Sequence, residues 1–256
     1  MNIGFIGTGA ITTALVTGLC SANLRNLQIT LSPRSRNRSV LLEKKYSQVD
    51  VAESNQGVVD NSEVVFLCFL PQQAEDILVP LRFMENQLVI NLLGGTRNTR
   101  IEKLIDASCQ ICRAVPLPYC AERIGPVVLY PVNDTAVTLF NAIGTLVVPE
   151  REEHLEHLSV ITALMAPYYQ MLGEITDWAV QAGVQRKAAA GYTAAMYEAL
   201  SSFAKKRPSG DMHKLADESM TPGGLNEMAR RIVNEGGGYD CLLQALDAVS
   251  KRVSGG

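Results

Sequence analysis

Two segments of this chain combine glycine with a helix start in a way that presents main-chain N–H groups to an anion. The first is Ile3-Gly4-Phe5-Ile6-Gly7-Thr8-Gly9-Ala10-Ile11-Thr12, a strand-like run entering a Gly-x-Gly turn and then helical spacing at Ile11, Leu15 and Leu19. Gly7 allows the tight turn, Gly9 lets the backbone approach a pyrophosphate, and the amides that open the helix, Ala10 and Ile11 among them, attract its charge. Thr12 stands where a third glycine commonly falls, which predicts a helix set slightly farther from the sheet. Two glycines alone say little; their place between a strand and a helix makes this a dinucleotide-binding turn.

The next strand, Leu27 to Leu31, ends in Ser32-Pro33-Arg34-Ser35-Arg36-Asn37-Arg38. A carboxylate here would hold the ribose hydroxyls of NAD, but this tip has hydroxyls, three arginines and no acid. It suits a 2′-phosphate, with Arg34 pairing or stacking and Ser32 and Ser35 donating hydrogen bonds, so the expected cofactor is NADPH. Two later strand ends should face the same crevice. Leu70 and Pro71 are expected to wall the nicotinamide ribose, and Asn91 with Gly94 and Gly95 to let the ring approach the backbone.

The second anion seat is Ser219-Met220-Thr221-Pro222-Gly223-Gly224-Leu225-Asn226-Glu227. Thr221 reads as an N-cap and Pro222 as the first helical residue, so a substrate carboxylate would take hydrogen bonds near Gly223, Gly224, Leu225 and Asn226. Thr221 and Asn226 are the catalytic candidates of this segment. The same residues also begin an ordinary helix well.

Elements must hold these two seats. β-branched runs at 2–6, 27–31, 63–69, 87–91, 109–115, 127–130 and 145–148 alternate with helical spacing, the pattern of βαβ units and a parallel, doubly wound α/β sheet. After Pro149 strand alternation stops. Leu155 to about Lys206 reads as helix, a Pro-Ser-Gly break follows at 208–210, and a last helix runs from Asp240 to about Val253. Residues 1–150 thus form a Rossmann-like domain and 151–256 an all-helical one. Small residues from Ala188 to Ala195 favour close helix packing, either internal or across a homodimer interface.

Composition removes other classes. With 23 basic and 26 acidic residues the chain has no positive excess to hold a nucleic acid. Its longest apolar run, Val64 to Leu70, is far short of the ~20 residues that cross a bilayer, and no charged-then-apolar leader opens it, so a cytoplasmic protein off the membrane is expected. Cys109 and Cys112 form one C-x-x-C, but on a strand those positions face opposite ways, and no metal is expected. His154 and His157 lie among acids at a helix start and read as a solvated face, while His213 is a weak general-acid candidate. Trp178, Tyr168 and Tyr169 read as packing residues of the helical half.

Taken together the motifs resemble the pyrroline-5-carboxylate reductase family over essentially the whole chain. Ile3 to Gly9 resembles its opening, Pro71-Gln72 its Lys-Pro-Gln turn, Gly95 its Ala-Gly turn, and Arg113 with Pro116 its Arg-Val-Met-Pro strand end. Ala182-Gly183-Val184 and Thr221-Pro222-Gly223-Gly224 resemble its Ala-Gly-Leu and Ser-Pro-Gly-Gly-Thr-Thr segments. The resemblance implies a helical domain that interlocks with a partner chain, as a dimer or a larger assembly, and reduction of a small cyclic imino acid by a nicotinamide cofactor. It also puts Tyr169 at a family position. The chain departs at Leu225-Asn226 for Thr-Thr, Leu117-Pro118-Tyr119 for Asn-Thr-Pro, Leu70 for Lys, and Leu164 to Tyr169 for Gly-Ser-Gly-Pro-Ala-Tyr. These changes leave three readings: reduction of pyrroline-5-carboxylate to proline, reduction of another imine or a hydroxy acid, and NADP binding without catalysis. The hydroxyacid enzymes normally carry a catalytic lysine on the first long interdomain helix, and none lies between Glu152 and Val184.

Overall fold

A computed structural model describes residues 1–105, 107–207 and 210–254. Backbone packing divides the chain into Met1–Ser159 and a second unit from Val160 onward. The first unit is an eight-stranded sheet: β1 (Asn2–Ile6), β2 (Gln28–Leu31), β3 (Val49–Val51), β4 (Val64–Leu67), β5 (Leu88–Asn91), β6 (Gln110–Pro116), β7 (Pro126–Tyr130) and β8 (Thr145–Val147). Their order, β3-β2-β1-β4-β5-β6-β7-β8, reverses direction of growth between β1 and β4. That reversal is the switch point outside which α/β sheets bind ligands.

Two features differ from the expected sheet. β3 has only three residues, Val49-Asp50-Val51, too few for periodicity to reveal, and pairs with β2 in parallel. β7 runs antiparallel to β6, with Arg113 opposite Tyr130, so the sheet is mixed rather than wholly parallel. The connection through the short 3-10 turn at Pro118–Glu122 returns the chain with no full crossover helix, which a parallel neighbour would need.

Side-chain alternation along the strands feeds two apolar cores. Ile3, Phe5, Val64, Phe66 and Ile90 point to one face, while Ile6, Val65, Leu67 and Val89 point to the other. Against the first face lie α1 (Ala10–Ser21), α2 (Arg36–Lys45) and α6 (Asp134–Asn141); α3 (Asn55–Asp60), α4 (Ala74–Leu78) and α5 (Asn98–Glu102) cover the second. Phe5 stacks on Phe66 at 4.5 Å between centroids, and Phe140 meets Phe66 edge-on at 6.1 Å. Burial of each such ring stabilises the fold by roughly 2–3 kcal/mol. Cys109 packs on the second face and Cys112 within the first core, so the C-x-x-C pair does point apart. All six cysteines are free thiols.

The helices after the sheet are α7 (Glu153–Ile161), α8 (Met165–Gln181), α9 (Arg186–Lys205), α10 (Met212–Glu218), α11 (Leu225–Glu235) and α12 (Gly238–Ser254). The first part of α7 is part of the first unit: Leu155 is fully buried and Arg113 of β6 lies 3.7 Å from Glu152 and 3.5 Å from Glu156. Gly183, at φ +94°, turns the chain between α8 and α9. Of the Pro-Ser-Gly break, Pro208 and Ser209 lie outside the described residues. Trp178 is 72% exposed, so within one chain it is not the packed aromatic its setting suggested. It joins Ile175, Val184, Tyr192 and Met196 along an apolar groove of about 540 Å³ between α8 and α9. Among the described residues no helix is long and apolar enough to cross a membrane.

Candidate functional site

The glycine turn after β1 is fixed by what surrounds it. Gly7 has φ +97°, and a Cβ there would lie 2.3 Å from the Cys68 carbonyl oxygen, so no other residue fits. Its N–H donates to Ser32 Oγ at 2.8 Å. Thr12 fills the third-glycine position with a buried hydroxyl that donates to Gly7 O at 2.7 Å, tying the helix to the turn. The close helix approach is made six residues later by Gly18, where a Cβ would come within 2.1 Å of Cys120 O. Sequence spacing alone gave no sign of that role. Gly9 is the N-cap of α1 with no side-chain cap, and nothing lies within 4 Å of where its Cβ would be. The Ala10 and Ile11 N–H groups have no acceptor among the described residues. Uncapped amides at a ten-residue-plus helix, in open space at the sheet's switch point, are the arrangement a pyrophosphate requires.

Ser32 does not meet a ligand as expected. It is fully buried: its Oγ takes the Gly7 N–H, and its carbonyl accepts from Thr8 Oγ1 at 3.3 Å and Ser39 Oγ at 3.0 Å. This serine therefore locks the β2 end to the glycine turn. Beyond it the chain opens into a shallow recess of about 410 Å³ lined by Arg34, Ser35, Arg36, Asn37 and Arg38. Ser35 is the half-buried N-cap of α2 and makes no side-chain cap bond. Arg36 and Arg38 occupy the first turn of α2, which holds no acid, so basic side chains and the positive end of the helix dipole reinforce one another. An anion relieves that repulsion.

The later strand ends split in role. Leu70, 65% exposed, precedes a 3-10 turn at Pro71–Gln73, where Pro71 is half-buried. Gly95 is exposed at φ +65°, with open space around both it and Gly94. Asn91 is fully buried and cannot touch a cofactor. Its Oδ1 accepts from the Leu93 N–H at 3.0 Å and its Nδ2 donates to Thr96 O at 2.8 Å, so it shapes the glycine turn after β5 from beneath. Asn98, which shares this network, donates its backbone N–H to Glu152 Oε1 at 2.9 Å. Burial also pushes the Cys68 thiol up to about 12 and those of Cys112 and Cys120 to about 11, which keeps them protonated near neutrality. Among the described residues no three His, Cys, Asp or Glu side chains gather as metal ligands. His154 pairs with Arg151 at 3.1 Å on an exposed face, as its neighbours suggested.

In the helical unit the Pro-Gly-Gly segment is built differently from the expectation. Thr221 is not an N-cap and Pro222 is not helical. They form a turn closed by Gly224 N–H to Thr221 O at 2.8 Å, with Gly223 at φ +73°. Pro then Gly in the two central places is the chemistry of a type II turn, which stops the helix from starting before Leu225. Gly224 is the N-cap of α11. Two side chains already use this end: Glu227 Oε2 accepts the Gly223 N–H at 2.6 Å, and Asn226 Nδ2 donates to Ser219 O at 2.9 Å. The amides of Leu225 and Asn226 have no acceptor among the described residues, and Leu225 is 85% exposed. His213 is exposed on α10 and lines a recess beside Glu227 and Arg230. Tyr168 stacks at a tilt on Tyr169 and edge-on with Tyr197, within the helical unit.

Comparison with known proteins follows the same division. Residues 2–95 match the family model for NADP oxidoreductase, coenzyme F420-dependent, and residues 152–255 match that for pyrroline-5-carboxylate reductase dimerisation. Pyrroline-5-carboxylate reductase of Vibrio alginolyticus is 23% identical over 261 residues, covering 98% of this chain and 96% of that one. A pyrroline-5-carboxylate reductase from Coxiella burnetii superposes with a TM-score of 0.85 at 23% identity, covering 99% of this chain and 97% of that one. The Plasmodium falciparum pyrroline carboxylate reductase with NADP bound gives 0.79 at 19% identity, with 99% and 97% covered. A Rossmann-like sheet followed by a helical dimerisation unit, each matched in order, places this chain in the pyrroline-5-carboxylate reductase family.

Proposed function

We propose that the protein reduces a small cyclic imine bearing a carboxylate, using NADPH, with pyrroline-5-carboxylate converted to proline as the leading substrate. The observation that carries the reading is the glycine turn after β1. A Gly7 with no room for Cβ sets uncapped α1 amides in open space at the switch point. The named relatives reduce pyrroline-5-carboxylate, and one of them holds NADP. The acid-free Arg34–Arg38 loop supports a cofactor with a 2′-phosphate.

Gly9, Ala10 and Ile11 would hold the pyrophosphate, Arg34 and Ser35 the 2′-phosphate, and Leu70, Pro71 and Gly95 would border the nicotinamide end. When bound, the cofactor supplies the hydride. The chain needs little acid–base machinery, because a protonated imine is already a good acceptor and the remaining task is orientation and exclusion of water. The Leu225 and Asn226 amides at the start of α11 would orient the substrate carboxylate, aided by the helix dipole. Asn226 and Thr221 are the catalytic candidates proposed at that seat, and Gly223 and Gly224 keep it free of side-chain cover. The helical unit would pair with a second copy, covering exposed apolar residues such as Trp178 and Tyr192.

NADPH oxidation with pyrroline-5-carboxylate tests the reading. Reduced-nicotinamide absorbance should fall with this imine, and faster with NADPH than with NADH. Tight NADPH binding without turnover on a panel of cyclic imines would instead identify a non-catalytic NADP-binding protein.

Glu227 tunes the same seat. Its carboxylate sits beside the amides proposed for the substrate's own carboxylate, and like charges repel. Glu227→Gln keeps an oxygen to accept the Gly223 N–H while removing the charge. KM for the imine should fall about fivefold, the size of a solvent-screened contact of ~1 kcal/mol, with kcat little changed. An unchanged KM in steady-state assays would place the carboxylate elsewhere.

A further inference from the structure

Arg34 is the arginine of the basic loop that another element holds. With the Gln73 amide oxygen turned toward it, the guanidinium donates from Nη2 at 2.9 Å and from Nη1 at 3.1 Å to that one oxygen. The opposite orientation would set amide N–H groups against guanidinium N–H groups, with no acceptor between them. Gln73 closes the 3-10 turn after β4, while Arg34 follows β2. Since β1 lies between β2 and β4, the pair bridges the carboxyl end of β1, where the Gly7–Gly9 turn begins. Arg36 and Arg38 have no hydrogen-bond or ion-pair partner among the described residues.

We infer that Gln73 is a positioning residue for cofactor selectivity: it fixes the Arg34 guanidinium so that its remaining N–H groups are presented to a 2′-phosphate. A guanidinium has five N–H groups. Two are taken by the Gln73 oxygen, which leaves three in a rigid plane, enough for a forked contact with a phosphate. Arginine carries a large rotamer entropy, and a side chain already held in its bound geometry loses less of it on binding. The gain appears only with ligands that bear the extra phosphate. Gln73 itself has no charge, so it holds Arg34 without neutralising it. A carboxylate at the same place would do both.

This inference rests on the reading of Arg34 as the 2′-phosphate ligand, and the test separates the two. NADPH, NADH, 2′,5′-ADP and 5′-AMP are titrated against the full-length protein and its Arg34→Ala, Gln73→Ala and Gln73→Glu variants. Gln73→Ala should weaken NADPH and 2′,5′-ADP roughly three- to tenfold while leaving NADH and 5′-AMP as they were. Gln73→Glu should weaken the phosphorylated ligands further, because its carboxylate competes for the same N–H groups. The unchanged NADH affinity reports that each variant is folded. If Arg34→Ala lowers the preference for NADPH and Gln73→Ala does not, the positioning role is overturned and the Arg34 reading stands. Equal weakening of NADPH and NADH by Gln73→Ala would also overturn it, making Gln73 a general wall of the adenosine site. If Arg34→Ala leaves the preference intact, the underlying reading fails and the inference fails with it.

Discussion

Gly7→Ala is expected to lose NADPH binding by roughly a hundredfold or more and to fold less stably, while Gly9→Ala loses binding alone. The contrast follows from where each added methyl goes. At Gly7 the backbone has φ +97° and the new Cβ would lie 2.3 Å from Cys68 O, a main-chain atom at the end of β4 that cannot move without disturbing the sheet. The turn must shift, and the Ala10 and Ile11 amides shift with it. Misplacement of a positioning group by about 1 Å is enough for losses near a hundredfold, and a side chain held at a left-handed φ adds about 1–3 kcal/mol of strain. At Gly9 φ is −88° and the space is open, so the folded chain accepts the methyl without strain. That methyl then stands where a pyrophosphate would approach. Thermal melts and NADPH titrations of the two variants check this: a Gly9→Ala protein that binds NADPH as tightly as the parent would remove the pyrophosphate from this turn.

Arg113→Met should destabilise the first unit by about 3 kcal/mol, the lower end for breaking a buried ion pair, because the two carboxylates retain some solvent. Arg113 is 3% exposed, and Glu152 and Glu156 are its ionic neighbours. Its Nη1 has no hydrogen bond, so the cluster relies on charge attraction at 3.5 and 3.7 Å rather than on short contacts. Removing the cation leaves two carboxylates beside each other with no counter-charge. Adding Glu152→Gln and Glu156→Gln to Arg113→Met should recover much of the loss at neutral pH. Denaturant unfolding of the single and triple variants measures both effects. An Arg113→Met protein as stable as the parent would show that the start of α7 is held by Leu155 and its apolar contacts alone.

Much of this was legible in the residues, for reasons that differ between the two units. The β1 turn was readable because strand, glycines and helix follow in ten residues, and each restricts the backbone. Seven of the eight strands had enough β-branched residues to stand out by themselves, whereas Val49–Val51 had too few. Ser32 and Asn91 were read as ligands because polar residues at strand ends commonly are. What a sequence does not show is which way a short side chain turns, and both turn inward to hold a neighbouring loop. Thr221-Pro222 admitted two local solutions, a cap followed by a helix or a type II turn, and Gly223 at φ +73° takes the second. Gln73 carried no motif. Its relation to Arg34 exists only because β2 and β4 flank β1, which is a property of topology.

A crystal structure of the protein with NADPH and a proline-like carboxylate tests the central claim most directly. The proposed reduction predicts the pyrophosphate on the amides of Gly9, Ala10 and Ile11 and the ligand's carboxylate on those of Leu225 and Asn226. A map with the dinucleotide in place and the acid group bound away from the start of α11 would contradict it.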